Sequence, residues 1–192
     1  GNGYDEAWIK EATEKRGLCN YRTTPDCIPH VLDKKNVDML VGHKVFTEAE
    51  LKSRCEIQLE NYCKTVVIEA NTMVSMAKTL IAPAVEAYAA DVAKAVAAKR
   101  LVDANLPCKY ESKLIKNLST LTDRIAGNIE ELEIALQELH EAKDVGDEAN
   151  AIRDNVLEKM NALRIACDEA ELLTAKKYWP FPTYSDLLFG VK

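Results

Sequence analysis

Between Gly42 and Gly127 the chain carries no glycine, and only Pro83 and Pro107 interrupt that run. Glycine and proline are the strongest local breakers of regular structure, so their scarcity over so long a stretch predicts long helices. The apolar positions agree. Leu51, Cys55, Leu59, Tyr62, Val66, Ala70, Met73, Ala77, Leu80 and Ala84 recur in steps of three and four, and Tyr88, Val92 and Val96 continue the series. That spacing marks one face of a helix. Thr47-Glu48-Ala49-Glu50 supplies the start: the Thr47 hydroxyl is placed to accept from the Glu50 amide, and Glu50 to accept from the Thr47 amide. Unbroken, a helix over 47–100 would span roughly 80 Å at 1.5 Å per residue. Pro83 has no N–H for the carbonyl of Thr79, so it must kink or split the run. After it, alanine is dense, which favours helix and permits close approach of a neighbour.

The rest of the chain repeats the theme. Beyond Pro107, Leu114, Leu118, Leu121, Ile125, Ile129, Leu132, Leu136 and Leu139 form a stripe, with Leu118, Ile125, Leu132 and Leu139 seven apart. Gly127 interrupts it and is read as a close crossing. Val145-Gly146 is read as the short break before a further helix, striped by Ala149, Ile152, Val156, Met160, Leu163, Cys167, Ala170 and Leu173. So short a break implies antiparallel neighbours. No aromatic residue occurs from Glu111 through Lys177, so aliphatic side chains must fill that contact. At the front, Tyr4 to Arg16 reads as a short helix closed by Gly17, Thr24-Pro25-Asp26 as a helix start, and Lys35 to Leu40 as another short helix ending at Gly42.

The expected fold is all-α: an extended antiparallel helical bundle of about three long helices, short N-terminal helices, and a docked aromatic and proline-containing tail. The division expected is 1–46 as a short-helix segment, 47–177 as the bundle (47–100, 109–144, 147–177) and 178–192 as the tail. The tail reads Tyr178-Trp179-Pro180-Phe181-Pro182-Thr183-Tyr184-Ser185-Asp186-Leu187-Leu188-Phe189. Its aromatics are costly to leave in water, at roughly 25 cal/mol per Å² of apolar surface, so it is expected to dock on its own domain or on a neighbouring subunit. Thr183 and Asp186 have the spacing to cap a last helical turn.

Composition excludes more than it assigns. The 192 residues carry a net charge of −6, all of it from residues 111–192 (10 Lys/Arg against 16 Asp/Glu), since residues 1–110 balance at 15 of each. An acidic chain is a poor match for nucleic acid. No apolar run approaches the ~20 residues of a membrane span. No basic leader followed by an apolar stretch reads as an export signal, so a cytoplasmic chain with reduced thiols is expected for Cys19, Cys27, Cys55, Cys63, Cys108 and Cys167. The acids from Glu130 to Glu148 alternate with apolar residues and are read as the solvated face of a helix, not as a cation site.

Catalytic patterns are missing. Gly1-Asn2-Gly3 lacks the further glycine of a phosphate loop, and His140-Glu141 has Asp144 where a zinc protease needs its second histidine. His30 and His43 have no ligand partner by spacing and default to surface roles. Met73 and Met76 are read as core. No catalytic, cofactor-binding or metal residue is placed on this chain.

Several blocks do resemble a known family. Leu51-Lys52-Ser53-Arg54-Cys55-Glu56-Ile57-Gln58-Leu59-Glu60-Asn61-Tyr62-Cys63-Lys64-Thr65 with Ile68-Glu69-Ala70-Asn71-Thr72-Met73 is similar to the C-terminal region of type III glutamine synthetases. So are the aromatic tail and Met160-Asn161-Ala162-Leu163-Arg164. The opening, with Gly1-Asn2-Gly3-Tyr4, Trp8, Glu14-Lys15-Arg16-Gly17-Leu18 and Thr23-Thr24-Pro25-Asp26, resembles the stretch that leaves that family's catalytic domain. Cys55 departs from the pattern, where an aromatic is expected in relatives. The resemblance implies a parent enzyme that joins ammonia to glutamate with ATP, through γ-glutamyl phosphate, using Mg²⁺ or Mn²⁺. It further implies a ring-based cytoplasmic homo-oligomer, with the nucleotide, glutamate and metal ligands upstream of this stretch. The partners it implies are the chain's own catalytic domain and neighbouring subunits. Structural or interface roles are expected for Trp8, Arg54, Tyr62, Trp179, Phe181, Tyr184 and Phe189. The competing reading is a stand-alone helical scaffold or protein-binding module.

Overall fold

A computed structural model describes residues 2–190, so Gly1 of the opening run and the last two tail residues lie outside the described residues. Regular structure among the described residues is helical throughout. They form two compact units: one holds residues up to Lys64 together with Lys143–Arg153, the other Thr65–Ala142 together with residues from Asp154 on.

The first unit opens with α1 (Glu6–Lys10), where the Asp5 carboxylate accepts from the Ala7 amide at 3.0 Å. A π-helical turn, Glu11–Lys15, continues it, and Gly17 ends it at φ +67°, the left-handed region where a glycine costs least. Helix α2 (Thr24–Cys27) is capped one residue earlier than the sequence suggests: Thr23 Oγ1 accepts from the Asp26 amide at 3.3 Å. Helix α3 spans Lys34–Gly42. Helix α4 (Glu48–Met76) begins in the expected capping box, with Glu50 N–H donating to Thr47 Oγ1 at 3.2 Å and Thr47 N–H to Glu50 Oε2 at 2.7 Å. The Thr47 amide, and its hydroxyl at 2.9 Å, both donate to the Glu50 carboxylate and hold it below its ordinary range. Leu51, Cys55, Leu59 and Cys63 form the buried face of this part of α4. Helix α7 (Val145–Ala151) completes the unit against α2. Its cap is Asp144, which accepts from the Asp147 amide at 2.9 Å. The break in the chain therefore precedes Val145, and Gly146 lies in the first helical turn. A Cβ at Gly146 would sit 3.1 Å from the Asp144 carboxylate oxygen, so the cap itself crowds that position.

In the second unit α4 runs on to Met76, a π-helical turn covers Ala77–Ile81, and α5 follows as Ala82–Val102. Pro83 falls in the first turn of α5, where its missing N–H breaks least. A π turn holds one extra residue, and it moves the buried face forward by one. Upstream, Val66, Ala70, Val74 and Ala77 are buried; downstream, the buried residues are Ile81, Val85 and Ala89. Leu80, expected in the core, is 42% exposed. Met76 is 37% exposed for its part, which corrects its reading as core, while Met73 is half-buried.

Helix α6 (Lys109–Glu138) packs between α5 and α8 (Leu157–Leu173). Its stripe follows the sequence closely: Leu114, Leu118, Leu121, Ile125, Ile129 and Leu132 are all buried, and a 3₁₀ turn, Leu139–Glu141, buries Leu139 after it. A further π turn, Ile152–Val156, leads into α8, whose Leu163, Ala166, Cys167 and Ala170 face the core. Flanking ion pairs tie the helices, Lys78 to Glu133 at 2.6 Å, Lys159 to Glu131 at 2.9 Å and Arg124 to Glu169 at 2.7 Å. Among the described residues Gly127 marks no crossing. It is exposed, and a Cβ there would meet nothing within 4 Å.

Candidate assembly surface

The tail has two different halves. In the first, the Tyr178 hydroxyl donates to the Asp91 carboxylate on α5, and the Tyr178 ring lies 5.2 Å from that of Tyr88. That donated bond, with Lys94 3.1 Å away, holds the Asp91 carboxyl below its usual range. Trp179 and Phe181 are half-buried and meet edge to face, 6.1 Å between ring centres. Trp179 is thus partly seated, not enclosed.

The second half is α9 (Tyr184–Leu188), one turn of helix closed by the expected Thr183–Asp186 capping box. Asp186 is well held: Lys176 Nζ lies 2.6 Å from one oxygen, and the Thr183 hydroxyl and amide donate to the other at 2.7 and 2.9 Å. Lys176 first, then Thr183, keeps its carboxyl far below the ordinary carboxylate range. Yet the turn displays rather than buries its apolar side chains. Tyr184, Leu187, Leu188 and Phe189 are 84%, 66%, 71% and 81% exposed. The capping box therefore fixes the shape of the turn without covering its apolar residues.

The remaining expected residues occupy separate places. The Arg16 guanidinium lies over the Trp8 ring at 5.0 Å and pairs with Glu11. Arg54 lies over Phe46 at 4.7 Å, which seats the start of α4. Tyr62 is half-buried on α4. The structure therefore brings Trp179 and Phe181 together but not Trp8, Arg54 and Tyr62.

Two clusters escaped sequence reasoning. Asp26 accepts from the Thr23 hydroxyl and from Arg153 Nη1, each at 2.6 Å, linking α2 to residues beyond α7. A partner 127 positions away leaves no signal in a single sequence. His30 stacks on Tyr21 at 3.9 Å and meets the Asp33 carboxylate at 3.0 Å. The His30–Asp33 spacing was visible, the stacking ring was not.

The second unit also carries an open apolar groove of about 390 Å³, floored by Met73, Met76, Ala77, Ile81 and Cys167. Cys167 and Cys63 are buried, and burial pushes each thiol up to about 11, so both stay protonated at neutral pH. Among the described residues the acids from Glu130 on disperse into ion pairs, caps and solvent, and no group of three His, Cys, Asp or Glu side chains is arranged to hold a metal ion. No helix there is long and apolar enough to cross a membrane.

The class this geometry defines is an all-helical domain that carries an exposed apolar turn and an open apolar groove. The chain belongs to the glutamine synthetase C-terminal domain family, whose family model matches residues 1–100. It is 34% identical over 193 residues to a glutamine synthetase of Butyrivibrio fibrisolvens, an alignment covering 100% of this chain and 27% of that protein. A type-3 glutamine synthetase of Dictyostelium discoideum is 30% identical, over 98% of this chain and 26% of that protein. A glutamine synthetase of Bacteroides fragilis is 28% identical over the same shares. The chain spans about a quarter of the length of the relatives it matches.

Proposed function

We propose that this chain is the assembly and stabilising domain of a type III glutamine synthetase and does no chemistry itself. One observation carries the reading: the similarity runs along essentially the whole chain yet covers about a quarter of each relative. In this reading the parent joins ammonia to glutamate with ATP and Mg²⁺ or Mn²⁺, on residues outside this chain, in a cytoplasmic ring-based homo-oligomer. The proposed division is 1–46 as the continuation of the catalytic domain, 47–177 as the helical body and 178–192 as the docking tail. Trp8, Arg54, Tyr62, Trp179 and Phe181 hold local structure, and Tyr184 and Phe189 contact the parent's body or a neighbouring subunit. The exposed apolar turn of α9 supports that role, because contiguous apolar surface left in water marks a site of contact.

The test is an assay of this chain for ATP-dependent glutamine formation, beside the full parent and the parent lacking residues 47–192. No product from the chain alone, with lower activity or thermal stability in the truncated parent, is the expected result. Glutamine made by the chain alone overturns the non-catalytic reading. A native reading frame with no catalytic domain joined to this one favours a stand-alone scaffold instead.

A further inference from the structure

Helix α6 arranges its charges against its own dipole. Lys109, Lys113 and Lys116 occupy its first turns, and from residue 125 to 142 there are five glutamates and no lysine or arginine. A helix N-terminus favours anions and its C-terminus cations, so Lys109 at the start and Glu138 at the end both oppose the helix field. The exposed Gly127 is a second anomaly. Glycine costs about 1 kcal/mol relative to alanine inside a helix, and none of the described residues approaches closely enough to require it.

Both anomalies lie on one stripe. Lys116 and Glu138 are each eleven residues from Gly127. At 3.6 residues per turn, Lys109, Lys113, Lys116, Thr120, Gly127, Ile134 and Glu138 all fall within roughly 40° of one direction. That direction faces away from the core, since each of these residues is exposed, Ile134 by 55%. Among the described residues no ion pair holds Lys109, Lys113, Lys116, Glu130 or Glu141. Glu111 is held by Lys99, which leaves Asp123 as the one loose anion in the basic half.

We infer that α6 is a self-pairing helix, on which a second copy of this chain lies antiparallel and crosses at Gly127. A two-fold axis there sets Lys116 beside Glu138 of the second copy and Lys113 beside its Glu141, twice over. It also sets Ile134 against Thr120 and aligns the two helix dipoles favourably. Like charges would face each other in a parallel pair, so the pattern selects the direction as well as the partner. The absent side chain at 127 lets the two backbones approach. This deepens the assembly reading above and rests on it.

Sedimentation velocity on the 192-residue chain tests it, at high micromolar concentration in low and high salt. The expected species is a dimer that weakens as salt rises. Lys113→Glu with Lys116→Glu, or Glu138→Lys with Glu141→Lys, raises the dissociation constant about tenfold or more, and the four changes together restore it. Gly127→Leu weakens the dimer while leaving helix content unchanged, and Gly127→Cys gives a disulfide-linked dimer on mild oxidation. A monomer in low salt, or charge reversals that neither weaken nor rescue pairing, overturns the inference. The parent's oligomer separates the two readings. If removing residues 47–192 breaks that oligomer while the α6 charge reversals do not, the contact is wrong and the assembly role stands.

Discussion

Helix α6 and the α4–α5 run carry equally regular apolar steps, yet α6 keeps its expected buried face as far as Leu132, beyond which Ala135 is buried and Leu136 only half-buried. Its stripe from Leu114 to Leu132 is buried at every expected position. In the other run the face slips at Ala77–Ile81, so Ile81 replaces Leu80 and Val85 replaces Ala84. The difference lies in one extra residue per turn, which needs no particular side chain. Pro83 is the only cue: it cannot donate to the carbonyl of Thr79, and the widened turn ends just before it. Periodicity thus gives a helix and its face only until the first register change.

The largest effect expected is in the helix that keeps its face. Leu132 is fully buried, so Leu132→Ala costs about 2–5 kcal/mol in chemical denaturation. The slipped face is tested by a pair. Ile81→Ala, at 8% exposure, loses about 2 kcal/mol or more, and Leu80→Ala, at 42%, stays near ~0.5 kcal/mol. Reversed values would place the π turn elsewhere. Thr47→Ala removes the capping box of α4 and costs about 1 kcal/mol, read as a lower melting temperature. Gly127→Ala works the other way: the site is open, so the folded chain gains about 1 kcal/mol.

The smallest effect is that of pH on the tail. The folded state depresses the Asp186 carboxyl, so its contribution is present above the unfolded value of about 4 and is lost as pH falls below it. Tail fluorescence from Trp179 is expected to change in that acid range in the native chain. The acid transition should be absent in Asp186→Asn, while Tyr184→Ala leaves it in place.

Much of the architecture was legible because its determinants are local. The Thr47–Glu50 and Thr183–Asp186 caps, the turn at Gly17 and the leucine stripe all depend on residues within a few positions of each other. Features that depend on distant residues were not legible. The Asp26–Arg153 pair and the Tyr21–His30 stack form only after folding. The tail was legible by halves. Its apolar surface demanded cover, and Tyr178, Trp179 and Phe181 find some on the second unit. Tyr184 and Phe189 remain outside, because the capping box turns α9 without packing it. Gly127 sits where the pattern suggests a crossing, and none of the described residues lies against it.

In the role proposed above, the domain holds a larger enzyme together. The measurement that meets it most directly is the solution mass of the parent synthetase with and without residues 47–192, by light scattering on eluted peaks. The truncated parent is expected to fall to a smaller assembly. A truncated parent that keeps the full oligomer and its thermal stability would contradict it.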